Sequence, residues 1–102
     1  MLTTAALNSI RDHMKTHIDH FEYTVVNNTY TASIEDSKVT SGKVVISARL
    51  DEPASGSITI SSVRLYGIDG ELWVQKAENI RREATAQGVY YQFTFVITEE
   101  TT

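Results

Sequence analysis

Apolar residues near the start of the chain recur at the spacing of a helix. Four of them follow one another at steps of three and four residues and so share one stripe: Leu7, Ile10, Met14 and Ile18. Arg11 falls on the opposite, mostly polar side. The pattern predicts an amphipathic helix over residues 1–20. A helix of this length is marginal alone in water, so its stripe needs a sheet or another subunit to cover it.

After residue 20 the period changes to two, which is typical of half-buried strands. Residues 21–25 alternate, Asn27–Asn28 suits a turn, and residues 30–34 suit a returning strand. The polar segment 35–38 predicts a loop. Residues 43–50 alternate again, with four apolar side chains on one predicted face: Val44, Ile46, Ala48 and Leu50.

The second half of the chain continues this pattern. Residues 58–66 form the next predicted strand, and its alternation slips at Ser61–Ser62, which indicates a β-bulge. Asp69–Gly70 favours a tight hairpin turn. The polar segment 77–87 fits either one or two helical turns or a long loop. Residues 89–98 alternate as a final strand.

These elements predict a mainly β (α+β) protein of one domain covering all 102 residues. Short strands without long intervening helices exclude a doubly wound parallel sheet. We expect the helix (1–20) to precede an antiparallel β domain (21–98) and a polar tail (99–102). The β domain is expected to be a small sandwich of about six strands, or alternatively a single antiparallel sheet crossed by the helix.

Composition narrows the possible functions. The chain has no cysteine, which excludes disulfides, cysteine-ligated metals and thiol catalysis. The net charge is −4 and the longest basic run is Arg81–Arg82, so we expect no nucleic-acid partner. No apolar run has the length of a membrane span, and we expect no membrane association. The first residues lack the pattern of a signal peptide, so secretion by that route is not expected.

Three histidines in the predicted helix are the main candidates for a metal site. His13, His17 and His20 are spaced by four and three residues, which places them near one helical face. No Glu follows His13, so the zinc-protease pattern is absent. We expect these histidines to face solvent and the protein to need no metal. A subunit-bridging metal and a pH-sensitive interface remain open alternatives.

No pattern indicates catalysis. No serine lies in a Gly-x-Ser-x-Gly elbow, and the five glycines form no phosphate loop. The paired carboxylates lie in predicted turns or at the end of the chain, where water keeps them ionised. We therefore expect a protein that is not an enzyme and uses no cofactor.

Two aromatic residues stand at polar positions of their strands. Trp73 shares its parity with Glu71 and Gln75, and Tyr90 lies opposite the predicted core face of the last strand. Exposed Trp and Tyr side chains anchor protein interfaces or stack on sugars, unless another element covers them. We expect them to form subunit contacts together with the apolar stripe of the helix.

Three stretches also resemble a known group of proteins. Leu2–Ile10 leads into an alternating strand, Ile58–Leu72 contains the strand and Asp-Gly turn, and Gly88–Glu100 contains Gly-Val followed by Phe-x-Phe-x-Ile-x-Glu. This layout is similar to small proteins from the tail or head–tail gene blocks of tailed bacteriophages and prophages. The histidines and the segment 77–87 depart from it.

The resemblance implies a non-enzymatic virion subunit of a ring or fibre base. It would assemble with copies of itself and with other virion proteins, and would be located in the virion or the host cytoplasm. The alternative is a small carbohydrate- or ligand-binding β module that uses the exposed aromatic side chains.

Overall fold

The computed structural model describes residues 2–52, 56–83 and 88–97. The predicted tail, 99–102, lies outside these ranges. One helix precedes seven strands within them: α1 (Thr4–Thr16), β1 (Ile18–Val25), β2 (Asn28–Ser33), β3 (Asp36–Thr40), β4 (Lys43–Leu50), β5 (Ile58–Gly67), β6 (Leu72–Arg82) and β7 (Val89–Val96).

The strands form two antiparallel sheets, which confirms the mainly β fold class. The larger sheet has the order β2-β1-β5-β6 and the smaller one β3-β4-β7. The chain crosses from one sheet to the other between β2 and β3, at Ile34 and Glu35. The Glu35 N–H donates to the Ser47 carbonyl on β4 at 2.8 Å. The chain thus connects the two sheets between the edge strands β2 and β3, and the other edge strands of the two sheets are β6 and β7.

The core lies between the two sheets. Its fully buried apolar side chains come from β1, β4 and β5: Phe21, Tyr23, Val44, Ile46, Ala48, Leu50, Ile60, Val63 and Leu65. The predicted apolar face of residues 43–50 is confirmed. The sequence pattern identifies this strand well because all four residues point to one face and all are covered.

One predicted irregularity of the second half is confirmed in place and another in full. The chain turns at Asp69–Gly70 between β5 and β6, but the turn is not the predicted two-residue one: the Gly70 N–H donates to the Gly67 carbonyl at 3.1 Å, so Ile68 and Asp69 are the central residues, and the positive φ, +84°, is at Gly70. Ile60 pairs with Val25 while Ser62 pairs with the adjacent Thr24. Ser61 is thus the extra residue of a β-bulge, which returns Ile60 to the core face.

The prediction of a helix over residues 1–20 is wrong at the C-terminal end of the helix. The helix ends at Thr16, His17 caps it, and Ile18 begins β1. Strand pairing decides this boundary, because Ile18 lies opposite Gly67 of β5. A spacing of four residues fits one face of a helix and one face of a strand equally well, so the step from Met14 to Ile18 does not distinguish them.

Two further predictions from polar segments are wrong. Residues 36–40, expected within or beside a loop, form β3 and pair with β4 from Asp36 opposite Ser47 to Thr40 opposite Lys43. Residues 77–82, expected as helical turns or a loop, continue β6. Both segments are sheet edges, where ladder hydrogen bonds hold a strand whose side chains are largely exposed.

The first hairpin turn lies one residue earlier than predicted. Val25 pairs with Asn28, so Val26 and Asn27 form the turn in place of Asn27–Asn28. Val26 has a φ of +57° and is 78% exposed. A branched side chain at Cβ is strained in this left-handed region, whereas Asn tolerates it.

Replacing Val26 with Asn should therefore raise the free energy of unfolding by up to about 1 kcal/mol, since it relieves this strain without removing a buried contact. Urea denaturation followed by circular dichroism measures the change. Val26→Thr keeps the branch at Cβ and is the matched control, for which no gain is expected. Equal stability of Val26→Asn and the wild type would contradict the assigned strain.

Tyr23 links the core of the larger sheet to the segment that follows β4. Its ring is fully buried and stacks against Tyr30 at 5.7 Å between centroids. Its hydroxyl donates to the Glu52 carbonyl and accepts from the Glu52 N–H, both at 2.8 Å. One side chain thus satisfies both backbone groups of Glu52.

Tyr23→Phe should lower the free energy of unfolding by about 1–3 kcal/mol, because it removes both hydrogen bonds to the Glu52 backbone and each contributes about 0.5–1.5 kcal/mol. Thermal or urea unfolding measures the loss. Tyr30→Phe makes the same chemical change in the neighbouring ring, whose hydroxyl makes no hydrogen bond within the described ranges. A loss as large in Tyr30→Phe as in Tyr23→Phe would show that the Glu52 contact is not the cause.

Candidate interaction surface

The predicted stripe of the helix divides between surface and core. Ile10 is 46% exposed, and Leu7 is half-buried. Met14 packs against the core, and Ile18 is buried on β1. Within the described ranges, Ile10 is therefore the member of the stripe that is most available for contact with another molecule.

Arg11, expected on the exposed side of the helix, is instead its buried residue. It is 6% exposed, and its guanidinium donates to the Ile97 carbonyl at 2.5 and 3.2 Å. A third hydrogen bond reaches Asn8 Oδ1 at 2.9 Å. The Arg11 side chain thus holds the helix against the end of β7. Its hydrogen bonds to carbonyl oxygens offset part of the free-energy cost of burying the guanidinium charge.

The three histidines do not share a helical face. The rings of His13 and His17 lie 3.9 Å apart at the end of α1, but His20 is on β1. His17 Nδ1 is 3.0 Å from the His13 carbonyl, so that nitrogen is already engaged. Among the residues that the structure describes, no three His, Asp or Glu side chains converge as metal ligands.

His20 lies between two carboxylates on the outer face of the larger sheet. Its Nδ1 is 2.7 Å from Asp19 Oδ2, its Nε2 is 3.0 Å from Glu22 Oε2, and its ring stacks on Tyr66 at 5.1 Å. Partial burial lowers the pKa of His20. The hydrogen bonds and negative charges of Glu22 and Asp19 raise it by more, so the pKa lies above its ordinary value of 6.5.

Trp73 lies at a second bulge, on β6. Leu65 pairs with Val74 while Tyr66 pairs with Leu72, so Trp73 is the extra residue. Its indole covers Gly67, where an added Cβ would lie 2.5 Å from the indole nitrogen. Trp73 is 37% exposed. The glycine thus provides the space for the indole, and part of the ring surface remains accessible.

Sequence reasoning missed the apolar end of the β5–β6 hairpin. Ile68 is 59% exposed and Leu72 is 49% exposed, on either side of the Asp69–Gly70 turn. The available signal was the presence of two large apolar residues directly beside a polar turn, where a core strand has already ended. Ile68 is fixed in place by its N–H, which donates to the His17 carbonyl at 2.9 Å.

The outer face of β7 carries the most exposed apolar side chains of the strands. Tyr90, predicted to be exposed, is 54% exposed, and Val96 is 65% exposed. The Tyr90 hydroxyl donates to Ser47 Oγ at 2.8 Å, which orients its ring along the sheet. Val96 was not among the predicted contact residues. Its position in the alternating pattern of β7, on the same face as Tyr90, could have identified it.

The inner faces of the two edge strands are joined by a polar contact. The Tyr91 hydroxyl on β7 donates to the Glu78 carboxylate on β6. Burial raises the pKa of Tyr91, and the hydrogen bond to Glu78 and its negative charge raise it further. Lys76 Nζ lies 3.7 Å from Glu78 Oε2. Tyr91 therefore remains a donor at neutral pH.

No pocket is detected in the part of the chain that the structure describes. Likewise, α1 is too short and too polar to cross a membrane. Comparisons with known protein families, with curated proteins and with solved structures found no match to this chain.

Because the folded state raises the pKa of His20, protonation of this residue stabilises the fold. The contribution is complete below the unfolded-state pKa of about 6.5 and is lost as the pH rises through the higher folded-state pKa. The difference in unfolding free energy between the wild type and His20→Gln should therefore be larger at pH 5 than at pH 8.

An NMR titration of the histidine rings gives an independent measurement. Glu22→Gln keeps the shape of the side chain but removes its charge, and it should lower the pKa of His20. A pKa of His20 that does not change in Glu22→Gln would contradict the assigned cause.

Proposed function

We propose that this protein is a non-enzymatic structural subunit that acts through contacts with copies of itself and with other proteins. The observation that carries the proposal is the exposure of large apolar side chains on strand β7 and on the β5–β6 hairpin. Tyr90 and Val96 lie on one face of an edge strand, and Ile68 and Leu72 lie at the hairpin end. When a partner covers apolar surface of this kind, the free energy of the complex falls, because that surface is removed from water.

Single exposed apolar residues are ordinary on protein surfaces, so their arrangement matters more than their number. Tyr90 and Val96 have the same orientation on a strand that, within the described ranges, pairs on one side only. At the hairpin, Leu72 begins β6, and Ile68 lies in the turn, where its N–H donates to the His17 carbonyl. Three of the four residues thus belong to strands, and regular elements present contact residues more reproducibly than loops do.

The resemblance to small proteins of tailed phages favours a virion subunit of the tail or head–tail region. In such a role, the subunit would form a ring or a fibre base, and it would be found in the virion or in the host cytoplasm. The carbohydrate-binding alternative relies on Trp73 and nearby tyrosines. Trp73 is partly used to cover Gly67, and one face of Tyr66 is stacked on His20.

Light scattering over a concentration series should give a mass that is a defined multiple of 11.4 kDa. The mass should be the same with and without EDTA, because the proposed contacts use apolar and backbone groups in place of a bridging metal. A strict monomer at high micromolar concentration would overturn the proposal. If the fluorescence of Trp73 then responded to glycans, the carbohydrate-binding alternative would be favoured.

A further inference from the structure

The four edge strands differ in how they are protected from pairing with another chain. Strand β3 contains Asp36 and Lys38 and packs against α1. Strand β6 contains Lys76, Glu78 and Arg81 and has two bulges. Charges, bulges and covering elements are the usual protection of sheet edges. Neither β3 nor β6 is therefore suited to receive a further strand.

Strands β2 and β7 have no charged residue. Strand β2 is shorter, with six residues that are mostly small or polar, Asn-Thr-Tyr-Thr-Ala-Ser. Strand β7 has eight residues, Val-Tyr-Tyr-Gln-Phe-Thr-Phe-Val, without Pro or Gly. Its one assigned partner is β4. A long, uncharged edge rich in aromatic and β-branched residues is a template for strand addition.

The contact between Tyr91 and Glu78 brings β6 close to β7 across the core. Both side chains point inward from opposite sheets and meet between them. Packed sheets lie roughly 10 Å apart, a distance that a Tyr and a Glu side chain span together. The inner face of β7 is therefore already covered within one copy, by Glu78 of β6 and by Phe21 of β1.

We propose that β7 pairs antiparallel with β7 of a second copy, so that the two three-stranded sheets join into one. This inference rests on the proposed function and names its interface. A two-fold axis at Phe93 places like faces together: Phe93 meets its own copy and Tyr91 meets Phe95 on the inner face, while Tyr90 meets Val96 on the outer face. Aromatic and aromatic–β-branched pairs of this kind stabilise cross-strand contacts.

The sequence of β7 supports a second copy as the occupant. The whole chain carries a net charge of −4, which opposes self-association wherever acidic surfaces meet. Strand β7 itself adds no charge to the interface. The strand is also self-complementary in this register, as a closed two-fold interface requires.

Thr94→Lys tests the interface in the full-length chain. Thr94 is exposed on the outer face, and the two-fold pairing brings residue 94 of each copy to diagonal positions roughly 7–8 Å apart. The two like charges and their desolvation should at least halve the mass measured by light scattering. Thr94→Glu should have the same effect, because repulsion does not depend on the sign of the charge.

Thr31→Lys is the matched control, since Thr31 is an exposed residue on the other uncharged edge strand, β2. Its mass should equal that of the wild type, and circular dichroism should show native β structure in every variant. If the wild type is a monomer, the proposed function and this inference both fail. If the wild type is an oligomer whose mass Thr94→Lys does not lower, the proposed function stands and the β7 interface is overturned.

Cysteine cross-linking tests the register, because the natural chain has no cysteine. Gln92 of one copy is expected opposite Thr94 of the other. An oxidised mixture of Gln92→Cys and Thr94→Cys chains should therefore give more covalent dimer than either variant alone. Stronger cross-linking of Gln92→Cys by itself would overturn the register centred on Phe93.

Discussion

The packing of Phe21 between the two sheets is the contact on which the rest of the structure depends. Phe21 is fully buried on β1, stacks on Phe93 of β7 at 5.6 Å and meets the edge of Tyr91 at 6.4 Å. Removing a buried Phe side chain costs about 3–5 kcal/mol, against a total stability of about 5–15 kcal/mol for a domain. A three-stranded and a four-stranded sheet each have an apolar face that is stable only when it is covered. Phe21 is where the two faces meet.

Polar groups define the ends of this apolar layer. At one end Arg11 ties the helix to the Ile97 carbonyl, and at the other Tyr23 satisfies the backbone of Glu52. Arg82 adds a hydrogen bond to the Asp51 carbonyl at 2.8 Å. These side chains are buried because they satisfy backbone groups that would otherwise lose their hydrogen bonds to water. The apolar core provides most of the stability, and these contacts fix where each element ends.

The distribution of charge divides the four edge strands into two kinds. Strands β3 and β6 carry charged residues, and β6 also has bulges, whereas β2 and β7 carry no charge. Charges and bulges disfavour the pairing of a sheet edge with another chain. The proposed contact through β7 therefore uses the longer of the two neutral edges.

The sequence by itself determined the elements whose periodicity is unambiguous: the alternating face of residues 43–50, the Asp69–Gly70 turn, the bulge at Ser61 and the exposure of Tyr90. Local chemistry is sufficient there, because a clean period of two has one structural solution. A turn pair is less decisive, since the first hairpin turn lies at Val26–Asn27 and not at Asn27–Asn28. Only the tertiary structure decided the end of the helix at Thr16, the strands at 36–40 and 77–82, and the burial of Arg11. For three of these the deciding interaction is with a residue distant in the chain: Gly67 for Ile18, β5 for residues 77–82 and Ile97 for Arg11. Strand β3 is decided by a partner close in the chain, since Thr40 pairs with Lys43 and Asp36 with Ser47 of β4. Backbone pairing and carbonyl acceptors of this kind leave no mark in the local pattern of apolar residues.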